Sequence, residues 1–318
     1  MSQLLANNIR REWQNDIVTQ SNNNVSILSG NLNTKWQDDC YSSFRQHLQL
    51  GSKKLPFGLV FMLRDVPLPK SGREAQSRRL YHQSKTNLYR CLKFIDPKRS
   101  QQYFYRLQRL RNIWWRKLAR DPEIFQIKEV EGEAVEIVAK LPWIEETVET
   151  IHNHGSRPLE SYGTMFEVKI GRKRVLPHVI ESVCLEAPAT VAYLCDAFHP
   201  SQSRTLLRFH HSLTPYKAAV LIDAEDGVPE ELKLLAEFLN LSLRRAGLLT
   251  LMSCVNDNEN SVNLLFKKHD LLGIPYSLVI KDETLSNGIA GLRSRDTMLQ
   301  EQVHISRITS YLKQLFRK

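Results

Sequence analysis

Two histidine pairs are the first residues with metal-binding chemistry: His152 and His154 one residue apart, and His210 beside His211. A protein zinc site needs about four nitrogen, sulfur or carboxylate ligands at compact spacing. No cysteine or carboxylate stands at that spacing from either pair, so all four read as loop histidines and no metal or cofactor is assigned. Glu145, Glu146 and Glu149 lie close together, but carboxylates do acid–base work only when they face a substrate pocket. With no such pocket visible, the three read as a charged helix face. Serine, histidine and aspartate are all present, yet no G-x-S-x-G elbow accompanies them, so no residue is given a catalytic role. The cysteines, Cys40, Cys91, Cys184, Cys195 and Cys254, are odd in number and form no C-x-x-C pair, which argues against a disulfide framework or zinc ribbon and for a reducing compartment.

A second kind of chemistry is electrostatic. The 318 residues carry a net charge of +10, a balance that favours a polyanionic partner. Residues 64–120 hold 16 Lys or Arg against three acids, so this one segment supplies the whole excess. Within it Lys98, Arg99, Arg106, Arg109, Arg111, Arg116 and Lys117 stand among Trp114 and Trp115. Cations at that density suit contact with DNA phosphates without reading bases; the bland alternative is a solvated helix face with both tryptophans in the core. Arg172, Lys173 and Arg174 form a smaller cluster, read as a hairpin tip.

The elements that must position these residues follow from periodicity. The length fits two domains, and no apolar run reaches the ~18 residues of a spanning helix. The amino terminus has Arg10 and Arg11 but also Glu12 and Asp16, and so reads as a first helix rather than a presequence. Residues 21–34 read as a loop, 36–50 as a helix and 55–64 as a strand. Residues 67–72 form a break, and 73–94 read as a basic helix carrying Leu80, Leu88 and Leu92. A second basic helix spans 100–119, because its apolar residues recur at steps of three and four. Strands follow over 130–141, a hairpin over 165–175 and a helix over 186–198. Residues 201–214 read as a linker.

After the linker the order is strand, helix, strand, helix, strand, strand, helix, which makes a mixed sheet covered by helices. Its first helix has Pro229 at the start, Glu230 and Glu231 in the first turn, Arg244 and Arg245 in the last, and Gly247 beyond; this is the order the helix dipole favours. Residues 282–288 are expected as a turn ending in Gly288, and Ser306 as the cap of the final helix.

Three strings carry a resemblance. GIPYSLVIKDETLSNGIAGLRSRDT, residues 273–297, is similar to the strand–turn–strand run of class IIa aminoacyl-tRNA synthetase anticodon-binding domains, ending in R-x-R-D ahead of an amphipathic helix. VLPHVIES, residues 175–182, with the helix that ends in Val191, Ala192, Tyr193 and Leu194, resembles the third motif of class II synthetases such as glycyl-tRNA synthetase. In an active enzyme that helix opens with an arginine for ATP phosphates, a place that falls near Pro188; no arginine lies between Arg174 and Arg204. An F-R-x-E second motif is also missing, since Phe44, Arg45 and Gln46 are followed by His47. The basic LRNIWWRKLARDP, residues 110–122, and the final HISRITSYLKQL complete the set. A synthetase-like body without its phosphate arginines resembles the family of accessory subunits of the mitochondrial DNA polymerase, polymerase gamma, in an insect-like short form.

The resemblance implies a degenerate class II synthetase-like antiparallel-sheet domain over 1–200, an α+β unit, followed by an α/β anticodon-binding-like domain with a mixed sheet over 215–318. It implies a mitochondrial, non-enzymatic protein without cofactor or membrane anchor, which binds the catalytic polymerase subunit and primer–template DNA and raises processivity. Gly288, Leu292, Arg293, Arg295 and Asp296 match the family motif and are assigned to the partner surface, although Leu292 suits the core better than an interface and Asp296 could instead pair with Arg293 or Arg295 to finish a strand. The stretch between Leu63 and Ile124 leaves little room for the helical insertion that builds the vertebrate homodimer, so a one-to-one heterodimer is favoured. The alternatives are a free-standing tRNA- or RNA-binding module and a working class II synthetase.

Overall fold

The computed structural model describes residues 1–19, 24–28, 36–50, 55–67, 85–201, 204–224, 227–255 and 261–316. The chain divides into two compact units, one of Ile9–Cys195 and one of Asp196–Lys318 together with Met1–Asn8.

In chain order the elements up to Cys195 are α1 (Ser2–Gln14), β1 (Asn24–Leu28), α2 (Trp36–Leu50), β2 (Phe57–Pro67), β3 (Lys85–Ile95), α3 (Ser100–Lys117), β4 (Phe125–Val130), β5 (Ala134–Lys140), β6 (Glu145–Gly155), α4 (Arg157–Glu160), β7 (Val168–Ile170), β8 (Lys173–Val175), β9 (His178–Leu185) and α5 (Glu186–Ala197). Seven strands form one sheet in the order β1-β2-β3-β9-β6-β5-β4. Only β1 and β2 pair in parallel; every other pair in it is antiparallel. One face carries the aromatic cluster of Phe44, Phe57, Phe94 and Phe166. On β3, β6 and β9 the register sets Cys91 beside Ser182 and Glu149 beside Cys184, and α3 packs against β4, β6 and β9.

Four expectations change here. Residues 24–28, expected within a loop, form β1. Residues 85–94, expected as the end of a basic helix, are β3; residues 68–84 lie outside the described residues. Leu88 and Leu92 are four apart, a spacing that returns to the same side of a helix and also of a strand, where the period is two. A central strand apolar on both faces hides its alternation. The three glutamates sit on or at the start of β6 rather than on a helix. His152 and His154 also lie on β6, not in a loop, and His154 Nε2 meets Glu181 Oε2 at 2.7 Å.

The second unit contains β10 (Phe198–Pro200), β11 (Thr205–Leu207), β12 (Ala218–Ile222), α6 (Glu230–Arg245), β13 (Thr250–Cys254), α7 (Val262–Leu271), β14 (Tyr276–Ile280), α8 (Asp282–Asn287), β15 (Ile289–Ser294), β16 (Gln300–His304) and α9 (Ile308–Leu315). Its sheet runs β13-β12-β14-β15-β16, parallel across the first three strands and antiparallel across the last three. Val220, Ile222, Leu278 and Leu292 meet Leu232, Leu239 and Leu243 of α6 and Ile308 and Leu312 of α9 in one core. The expected mixed sheet under helices is therefore present, with three additions.

The stretch 201–214 contains β11, held because Leu206, Leu207, Phe209 and Leu213 are all buried. Residues 282–288 are a short helix rather than a turn. Thr284 Oγ1 accepts from Lys281 N at 3.0 Å, and Gly288 closes the helix at φ 68°, a conformation that favours glycine. The edge strand β16 has no signature in sequence because its residues are mostly polar and exposed.

Candidate functional site

Helix α3 sorts its cations by periodicity. Phe104, Leu107, Arg111, Trp114 and Trp115 face inward, while Arg106, Arg109, Arg116 and Lys117 are exposed, as are Lys98 and Arg99 just before the helix. Arg106 and Lys117 are eleven residues apart, about 16 Å along the axis. Arg99, Arg106, Arg109 and Lys117 line a cleft of about 770 Å³, together with Lys93. Glu12, Asp16 and Asp96 also line it, so the cleft is mixed in charge and basic in balance.

Arg111 does not belong with the exposed set. It is 1% exposed. Its Nε donates to Glu149 Oε1 at 2.9 Å, Nη2 to Oε2 at 3.0 Å and Nη1 to Asp16 Oδ2 at 2.5 Å. Trp115 Nε1 and Ser182 Oγ donate to the same Glu149 carboxylate at 2.6 and 2.5 Å. Burial works against the charge on Arg111, but Glu149 and Asp16 outweigh it and push its pKa upward. A guanidinium held this way is not placed to meet a phosphate, because leaving Glu149 buried and unpaired is costly. Trp114 and Trp115 are buried too, Trp114 under the Arg111 guanidinium at 4.4 Å and Trp115 stacked on Tyr193 at 5.6 Å, so neither offers a ring to a base. Sequence cannot separate Arg111 from Arg109, and Glu149 was missed because its partner lies 38 residues away.

The five residues of the 288–296 segment have unequal positions. Leu292 is 1% exposed and part of the core. Arg293 grips Asp270, with Nη1 to Oδ1 at 3.0 Å and Nη2 to Oδ2 at 3.2 Å, and lies over the Phe266 ring at 4.4 Å. Arg295 donates from Nη1 to the carbonyls of Leu207 and Gly273 at 2.9 and 3.0 Å, and from Nε and Nη2 to Asp296 at 3.1 Å each. Both arginines are buried: Arg295 holds backbone carbonyls, whereas Arg293 is paired with the Asp270 side chain. Asp296 remains exposed and also meets Arg208 at 3.4 Å. At Gly288 an added Cβ would lie 2.6 Å from His304 Nε2. Asp270, which also accepts from Arg204 at 3.3 Å, is the organising residue that sequence did not single out.

Helix α5 tests the nucleotide chemistry. Its first residue is Glu186, whose Oε1 accepts from Asn87 Nδ2 at 2.7 Å and whose pKa burial raises. Thr86 Oγ1 takes the Ala187 amide at 3.0 Å. The Ala187 amide at the helix start, where the dipole would favour a phosphate, is thus taken by a side-chain hydroxyl, beside the Glu186 carboxyl group.

Residues 219–315 match the family described as anticodon binding domain. Across both units the chain is similar to proteins named DNA polymerase subunit gamma-2. That of Xenopus laevis is 28% identical over 293 residues, 83% of this chain and 60% of that protein. That of Drosophila melanogaster is 30% identical over 237 residues, 70% of this chain and 65% of that protein. The chain is a homologue of DNA polymerase subunit gamma-2. It spans roughly six-tenths of the length of those gamma-2 relatives, 58–65% in the four compared. A glycine–tRNA ligase of Borrelia hermsii is 26% identical over 243 residues, 69% of this chain and 53% of that enzyme. Likeness to gamma-2 subunits and to a glycine–tRNA ligase accords with a mostly antiparallel sheet followed by a unit that matches the anticodon binding domain model.

Proposed function

We propose that this chain is a non-catalytic accessory subunit of the mitochondrial DNA polymerase. On this reading it binds the catalytic subunit one-to-one, strengthens the hold on primer–template DNA and raises processivity. The observation that carries the reading is the likeness to DNA polymerase subunit gamma-2 over 83% of the chain. The start of α5, where the Thr86 hydroxyl takes the Ala187 amide and no arginine stands near Pro188, supports a protein without synthetase activity. Location in mitochondria follows from the names of the Xenopus and Drosophila relatives.

In this reading Lys98, Arg99, Arg106, Arg109, Arg116 and Lys117 meet the DNA backbone. The rim at Gly288 and Asp296 faces the catalytic subunit, while Leu292, Arg293 and Arg295 keep that rim in shape. The test is a pull-down and processivity assay with the mitochondrial catalytic subunit, using wild type and Gly288→Glu, each checked by thermal melting. Wild type is expected to bind and lengthen products, and a folded Gly288→Glu to do neither. A wild-type chain that neither binds nor stimulates, yet prefers tRNA to primer–template duplex at one salt concentration, would overturn the reading for an RNA-binding module. ATP–pyrophosphate exchange would overturn it for a synthetase.

A further inference from the structure

Helix α6 is apolar on two opposite faces. Leu232, Ala236, Leu239 and Leu243 are buried in the core of the second unit. On the far side Leu234, Phe238 and Leu241 are 58%, 64% and 46% exposed. A surface helix ordinarily places charge there. Steps of four and three join these three side chains into one ridge. The same steps extend the ridge to Glu230 in the first turn and Arg245 in the last, both exposed. Read along the helix, the ridge is acid, Leu, Phe, Leu, base.

We propose that this ridge binds a second copy of the chain, with two α6 helices packed antiparallel about a two-fold axis. The argument is self-complementarity. An axis crossing the helix between Glu237 and Phe238 sets Leu234 of one copy against Leu241 of the other. The same register sets Glu230 against Arg245, so acid meets base at both ends, and brings the two Phe238 side chains together near the axis. A parallel pairing would set Glu230 against Glu230 and Arg245 against Arg245. Glu230 already touches Lys233 at 3.3 Å, but an exposed pair of that kind contributes little and can be exchanged. A two-fold contact of this sort uses the same patch on both chains. One helix per chain buries less than the ~1,600 Å² of a standard interface. The contact is therefore reversible at micromolar concentration, and a one-to-one holoenzyme still forms in dilute solution.

The experiment is sedimentation equilibrium of the full chain from about 1 to about 100 µM, the range a contact of this size addresses. Wild type is expected to pass from monomer to dimer. Phe238→Glu should weaken dimerisation at least about tenfold without lowering the melting temperature, since the ring is exposed. Glu230→Arg should weaken it as well, and Glu230→Arg combined with Arg245→Glu should restore it, which a purely structural effect would not do. A wild type that stays monomeric throughout the range overturns the proposal, as does dimerisation unchanged by Phe238→Glu. If that monomeric wild type loses capture by the catalytic subunit on Phe238→Glu, the ridge belongs to the catalytic subunit instead.

Discussion

Arg293 and Asp270 face each other as two parallel forks, Nη1 to Oδ1 at 3.0 Å and Nη2 to Oδ2 at 3.2 Å, with both residues buried. The grip ties β15 to the end of α7, and Arg204 joins it at 3.3 Å through the same carboxylate. Two residues of the R-x-R-D string, Arg293 and Arg295, are thus tied into the fold.

Removing one side of the Arg293–Asp270 grip should cost stability before it touches any interface. Arg293→Ala leaves Asp270 buried with only Arg204, a change expected to cost about 3–5 kcal/mol. Arg293→Lys keeps the charge but loses the fork and should fall between. Urea denaturation of the three proteins is the measurement. An Arg293→Ala chain as stable as wild type would show that the fork does not hold the unit.

The exposed and buried cations of α3 should behave differently. Alanine at Arg106, Arg109 or Lys117 is expected to leave the melting curve within about 0.5 kcal/mol, and to reduce the log–log salt slope of DNA binding by about 0.9 for each phosphate no longer neutralised. Arg111→Ala should instead destabilise by about 3–5 kcal/mol, because Glu149 is then buried without its partner. Salt titrations of duplex binding alongside thermal melts separate the two groups. Equal slopes in wild type and an Arg106, Arg109, Lys117 triple variant would exclude this face as the DNA surface.

Acid should weaken the second unit through His269. Its ring lies between Ser253 Oγ at 3.0 Å and Ser277 Oγ at 2.9 Å, and burial lowers its pKa to about 4. The unfolded histidine takes a proton near its ordinary value of about 6.5, while the folded one stays neutral until about pH 4. Between those values the unfolded chain binds more protons. The contribution is complete above about pH 6.5 and falls by about 1.4 kcal/mol per unit, about 3 kcal/mol in all, as pH drops to about 4. Urea denaturation at about pH 7 and about pH 5 should show this loss in wild type and a smaller one in His269→Gln. Identical losses in both would remove His269 as the cause.

Sequence by itself determined the elements whose signals are local. The caps and leucines of α6, the strand and helix of β9 and α5, and the hairpin β7–β8 all follow from spacing and turn residues, and so does the likeness to synthetases. It also established where positive charge concentrates and that the helix after β9 opens without an arginine. Only the tertiary structure decided that Lys85–Ile95 is a strand, because burial on both faces erases the alternation that marks one. It alone gave β16 its place, since a polar edge strand is defined by its neighbour. It alone divided like from like. Arg109 and Arg111 are two residues apart and chemically identical, yet one is exposed and the other is locked to Glu149, 38 residues away, by the packing of α3 on β6. A charge is read from one residue, but whether it meets solvent or a buried carboxylate depends on which distant strand folds beneath it.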